Sequence, residues 1–378
     1  MSKQLPGVID TNPNSNMPKN KFFELELLRV TAIFFVFYDH STPYLGWDAR
    51  YDSFIKEPGA IGLGMFFALS GFLLQRSRSI QGDDFNSVSF LKKRLTRIFP
   101  LYWIALTLFV IRFHYFSVSG HSSSFDPLAP TFLAHFLGLQ LFLIPLISEI
   151  FTLWYIGALV PYYILFCLTT KFKFPKYLSF NLMLLISCFI LKLILQRWGI
   201  KLIDVRLFLH YQTFLLGTVV AYLDPELVWL KNKSLVLTSI LGFAAIFYAP
   251  IIGNDNINIG NRITLTWASI GYYGYSLIWT FFLVSLIFVV APFFSKFPVI
   301  IRFLSQNSYA MYLFHRPIYA TFYALVISLI SASTHLRTLL FPVATLVMIG
   351  LCYYLTRLDS QVLSKKFTKW ADRIFYSS

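Results

Sequence analysis

"LLRVTAIFFVFYDHS", residues 27–41, is an apolar run that keeps an arginine near one end and an aspartate–histidine pair near the other. A charge at the centre of a bilayer costs at least ~2.5–3.5 kcal/mol. A run this apolar that still carries Arg29, Asp39 and His40 reads as a membrane helix whose ionisable groups serve a purpose. Arg29 and His40 are eleven residues apart. At ~100° and ~1.5 Å per residue they share one helical face, separated by ~16 Å along it. Asp39 points ~100° away, towards a neighbouring helix more than towards His40.

The rest of the chain supports a polytopic membrane protein. Of 378 residues, 57% are hydrophobic and only 13% charged, with a mean hydropathy of +0.63. Soluble domains carry about 45–50% apolar and about 25% charged residues. The expected fold class is therefore all-α, a helical bundle with about ten transmembrane helices. The spans read as roughly 24–44, 58–75, 98–116, 150–170, 178–195, 207–223, 235–252, 266–291, 303–331 and 338–357. The apolar stretch 131–147 is shorter, ends near Pro145, and reads as an interfacial or re-entrant helix. Residues 1–21 form a polar cytoplasmic tail without the apolar core of a signal peptide. Residues 22–357 form a single transmembrane domain, and 358–378 a basic cytoplasmic tail.

The net charge of +15 records orientation more than nucleic-acid binding. With both termini in the cytoplasm, 21 of the 32 Lys and Arg fall on cytoplasmic segments, eight outside, and three (Arg29, Lys192, Arg316) within spans. That asymmetry follows the positive-inside rule and places the basic segments against anionic lipid. Cys167, Cys188 and Cys352 lie in apolar segments as packing residues. No His, Cys or carboxylate spacing suggests a metal site. His114, His121, His135, His210 and His335 read as ordinary polar residues near interfaces and loops.

Three further motifs carry chemistry. In "FNSVSFLKKRLTRIFPLYW", residues 85–103, a basic amphipathic stretch lies on the membrane ahead of the third span. Arg94 and Arg97 share a face there and suit a phosphate group. In "NSYAMYLFHRPI", residues 307–318, Ser308, Tyr312 and His315 form a polar stripe, with Arg316 beside the histidine. "MFFALSGFLL", residues 65–74, offers small residues for close helix approach.

Together, and in this order, these motifs resemble the membrane acyltransferase-3 family of the O-antigen acetylase type, over nearly the whole chain. The resemblance implies a bundle in the bacterial inner membrane that moves an acyl group, usually acetyl, from cytoplasmic acyl-CoA to a sugar hydroxyl. The acceptor is a surface polysaccharide or its lipid-linked precursor. Acetyl-CoA enters as co-substrate, with no permanently bound cofactor. Arg29 and His40 match the family's first-helix pair, and Ser70, Gly71 and Phe72 its second-helix motif. Arg94, Arg97 and Pro100 match the basic loop, and Ser308, Tyr309 and His315 the late helix. Trp154 matches a fourth-span tryptophan, but Leu159 stands where many members carry glutamate. That loss leaves more of the acid–base work to His40, or marks a subfamily with a different acceptor.

The expected chemistry has His40 acting as general base, with an acyl-histidine as the alternative. Arg94, Arg97 and Arg29 would hold the phosphates of acyl-CoA. Ser70, Tyr309 or Ser308 would face the oxyanion. The rivals are a transporter of small molecules or lipid-linked sugars, and a succinyl or N-acyl transferase of the same fold.

Overall fold

A computed structural model describes residues 22–45, 58–112, 130–142, 150–252, 264–330 and 333–376. The expected tail 1–21, Pro145, His114 and His121 lie outside them. The described chain is all-helical, with no β-sheet among its residues. Its helices are α1 (Phe23–Leu45), α2 (Pro58–Gln81), α3 (Ser87–Val110), α4 (Pro130–Phe136), α5 (Trp154–Thr169), α6 (Phe174–Arg197), α7 (Val205–Leu209), α8 (Tyr211–Leu223), α9 (Val228–Ile252), α10 (Trp267–Phe294), α11 (Pro298–Ile330), α12 (Thr334–Leu358) and α13 (Ser364–Tyr376).

Within the described residues, the segments read as spans are mostly helical. Five stretches of the described residues are long and apolar enough to cross a membrane by themselves: Pro58–Asp84, Phe174–Arg197, Val228–Phe247, Trp267–Phe294 and His335–Arg373. In α1 and α3 charged residues, among them Arg29, Asp39, Arg94 and Arg97, lower the hydropathy. These two helices, with α11, carry the candidate site. At seven residues α4 is too short to cross, and Gly138 at φ +71° turns the chain just beyond it.

One expectation changes. The basic amphipathic stretch and the third span are one continuous helix, α3, and not an interfacial segment followed by a separate span. Asn86 caps it by accepting from the Ser89 amide at 2.9 Å, which satisfies a donor the first turn leaves open. The described part of the basic tail beyond Leu358 is helical. After a short π-helical turn at Asp359–Leu363, α13 folds back onto α3.

The centre of the bundle is α1, packed against α2, α10, α11 and α12. Small residues set the closest approaches. A methyl group on Gly217 of α8 would overlap the carbonyl oxygen of Ala68, and one on Gly71 of α2 would overlap that of Phe214. The pair α2–α8 therefore touches backbone to backbone, the usual device where no hydrophobic effect drives helices together. At the other extreme, α6 turns Leu182, Met183, Ile186, Ile190 and Leu193 outward. Such a face suits lipid.

One end of α1 is tied down by charge. Glu24 pairs with Lys231 of α9 at 2.9 Å, and Glu26 with Arg302 of α11 at 3.6 Å. These pairs fix the start of α1 against two neighbours, and so fix where Arg29 and His40 fall along the bundle.

Candidate active site

The packing of α1 on α11 brings His40 and His315 together, with Nδ1 of His40 2.9 Å from Nε2 of His315. The second nitrogen of His315, Nδ1, faces two carbonyls of its own helix, Tyr312 at 2.8 Å and Met311 at 3.2 Å. A carbonyl only accepts, so Nδ1 of His315 carries the proton and Nε2 is the lone pair. With one proton on each ring, His40 must donate from Nδ1, which leaves its basic lone pair on Nε2. Backbone carbonyls thus dictate, through His315, which nitrogen of His40 is the base.

Burial divides the two roles. His315 is 0% exposed, whereas the side chain of His40 keeps 21% of its surface. The reachable imidazole is His40. Asp39, expected to face away from it, lies with Oδ2 3.6 Å from His40 Nε2. Its carboxylate also rests on the first turn of α2, where Gly59 leaves room for it. Negative charge at a helix N-terminus is favourable. The same carboxylate is placed to pair with the imidazolium once Nε2 takes a proton. Next in sequence to His315, Arg316 is close enough for the two groups to interact, and its buried Nε has no hydrogen-bond partner among the described residues.

The other end of the site is cationic. Arg29 is in electrostatic reach of Arg97 and Arg94 of α3, and of Glu26. Arg94 also lies over the ring of Phe90, 5.1 Å from its centroid. Arg97 is also in reach of Asp359, so three guanidinium groups stand against two carboxylates, and the surplus of positive charge suits a polyanion. Ser70 of α2 faces the hydroxyls of Tyr155 and Tyr163, and both tyrosines sense Arg29.

A column of tyrosines joins the two ends. Tyr155 of α5 meets Tyr312 edge-on at 5.2 Å between centroids, and the Tyr312 ring lies 6.3 Å from that of His315. The Tyr312 hydroxyl donates to the Thr152 carbonyl, which holds the column against the short turn, Ile150–Leu153, that leads into α5. The remaining late-helix residues use their protons within the fold. Ser308 donates to Ser305 O at 2.8 Å, and Tyr309 to Ile98 O at 2.9 Å, joining α11 to α3.

One cluster was not foreseen from the sequence. Asp204 caps α7, accepts from the Arg206 amide at 2.9 Å, and grips the Arg206 guanidinium with both oxygens. Both residues are buried. The guanidinium lies 4.8 Å from the Trp154 ring. His210, read as an ordinary polar residue, is buried against Phe67, Trp154 and Tyr273. His135 is buried as well. The only signal in the sequence was the charged pair "DVR" directly ahead of an apolar run. Residues two apart do not face each other on a helix. They meet here because Asp204 precedes the helix and its side chain folds back as a cap.

A family profile described as "Acyltransferase domain" matches residues 22–357, from the first turn of the bundle to the end of α12. The chain belongs to this family. The acyltransferase is also similar to "Protein 2 in picA locus" of Rhizobium radiobacter, 30% identical over 116 residues. That match covers 30% of the acyltransferase and 57% of the relative, so the chain spans little over half the length of the curated protein it matches. No solved structure matches. In the acyltransferase, Leu159 is packed in the core, and Asp204 is a buried carboxylate within electrostatic reach of Tyr162 on the same helix, α5.

Proposed function

We propose that this membrane acyltransferase moves an acetyl group from acyl-CoA to a hydroxyl of a sugar in a surface polysaccharide or its lipid-linked precursor. The observation that carries the reading is the His40–His315 pair, with its tautomers set by the backbone of α11. An imidazole held with a lone pair on a chosen nitrogen is the apparatus of general-base catalysis.

In this reading both termini are cytoplasmic and the bundle lies in a bacterial inner membrane. Arg94, Arg97 and Arg29 bind the phosphates of acyl-CoA, and the thioester reaches along the tyrosine column towards His40. The sugar hydroxyl gives its proton to Nε2 of His40 as its oxygen attacks the thioester carbon. The imidazolium that forms pairs with Asp39. The carbonyl oxygen becomes an oxyanion, which the guanidinium of Arg316 stabilises, since its buried Nε is a donor without a partner among the described residues. Collapse of the intermediate breaks the carbon–sulfur bond, and the proton on Nε2 passes to the departing thiolate. The products are the sugar ester and free CoA, with His40 returned to its starting state.

Mass spectrometry of surface glycans from cells with and without the gene tests the proposal. The expected difference is one acetyl group per acceptor unit, present only with the wild-type gene. Identical glycans would refute it.

A further inference from the structure

The basic tail helix α13 closes against α3 and leaves a furrow between them that the transfer chemistry does not use. One wall is a single face of α3, formed by Pro100, Trp103, Ile104, Thr107 and Leu108. At ~1.5 Å per residue this stripe runs ~12 Å along a helix that also carries a membrane span. The end towards α13 is built by Leu363, Phe367, Trp370 and Lys366. The volume is ≈ 570 Å³, within the ~300–1,000 Å³ of ligand pockets.

The polar groups of the apolar wall are already satisfied. Thr107 donates to Trp103 O at 2.8 Å, and Trp103 Nε1 donates to Phe136 O at 2.8 Å. The wall therefore offers only hydrocarbon contact. The α13 end is different. Lys366 pairs with no carboxylate among the described residues, and Lys365, Lys369 and Arg373 are exposed on the same helix. The carboxylate on α13, Asp372, is engaged by Lys92 of α3. Trp370 is half exposed beside Lys366. A tryptophan and lysines at the end of an apolar stripe mark a membrane–water boundary. A ligand here needs a long apolar chain and an anionic head one furrow-length away.

We infer that the furrow is a binding site for an anionic phospholipid, with one acyl chain along the α3 stripe and the phosphate on Lys366. The lipid would brace α13 on α3. That matters because α13 is joined to the basic turn through Lys92–Asp372, and Ser364 lies 3.4 Å from Thr96 O. The inference does not depend on which group the enzyme transfers.

Native mass spectrometry of the full-length protein, stripped of lipid in detergent and then offered phosphatidylglycerol or phosphatidylcholine, tests it. One phosphatidylglycerol is expected to be retained in preference to phosphatidylcholine. Lys366→Glu should abolish that preference, and Lys366→Gln should weaken it. Ile104→Trp, which fills the furrow, should remove the retained lipid while leaving the unfolding temperature within a few degrees. Hydrogen exchange of α13 should slow when phosphatidylglycerol is added to wild type and not to Ile104→Trp. Equal retention of both lipids, retention unchanged in the Lys366 and Ile104 variants, or preference for a polyprenyl phosphate over phosphatidylglycerol would overturn the inference.

Discussion

Nδ1 of His40 and Nε2 of His315 meet at 2.9 Å across 275 residues of sequence, with their rings within 19° of parallel. The contact exists because α1 and α11 pack along their length and because each carries its histidine on the shared face. Its chemical value lies one bond further on. His315 is oriented by carbonyls of Met311 and Tyr312, so the helix backbone sets the proton on His315 and thereby the proton on His40. A serine protease achieves the same ordering of an imidazole with a buried aspartate. Here a second imidazole does so inside an apolar bundle, where a neutral partner avoids burying a charge.

In the proposed mechanism His315 is a positioning residue. His315→Ala should lower kcat by about 10²–10⁴, the range for general acid–base catalysis, and leave KM for acetyl-CoA within about threefold. His315→Gln keeps an amide oxygen able to accept from His40 Nδ1 and should recover part of the loss. Steady-state kinetics of the two variants check this. Equal damage by both would point to a merely structural role.

The arginine end should behave as a binding site. A hydrogen bond to a charged group is worth about 1.5–3 kcal/mol, so Arg94→Ala or Arg97→Ala should raise KM for acetyl-CoA about ten- to hundredfold. Added salt should raise KM of the wild type more steeply than that of either variant. Isothermal titration with CoA gives the same comparison without turnover. An unchanged affinity in both variants would move the phosphate site elsewhere.

If Arg316 faces the oxyanion, its contribution is confined to the transition state. Arg316→Gln should reduce kcat by about 10²–10³ with little change in the affinity for CoA. A rise in KM at constant kcat would instead assign it to substrate binding.

The Asp204–Arg206 pair sets a test of stability. Removing one partner of a buried ion pair costs about 3–5 kcal/mol, because the other charge is left unmatched. Asp204→Asn and Arg206→Met should each lower the unfolding temperature in detergent, and the double variant should lose less than the sum. Additive losses would mean that the two side chains act independently.

Much of this architecture was legible in the sequence, for a definable reason. Apolar runs of membrane length announce helices, and charges inside them announce a purpose. Arg29, His40 and His315 were therefore visible one by one. What the residues could not reveal was pairing across the bundle. Tyr312 and His315 showed a stripe, but that the stripe faces α1 follows only from packing. Asp204 and Arg206 escaped notice because their meeting depends on a cap, and His210 because a lone histidine near an apolar run is ambiguous. The basic stretch before the third span misled in a different way. Its amphipathic period is equally that of a surface helix and of the first half of a spanning one, and α3 is the latter.

The most direct measurement is transfer of labelled acetyl from acetyl-CoA to a lipid-linked glycan acceptor by the purified protein in proteoliposomes. Wild type should place label in an alkali-labile ester on the sugar. His40→Ala should fall to background while still folding and still binding CoA. Label appearing on the acceptor at an undiminished rate in His40→Ala would contradict the account.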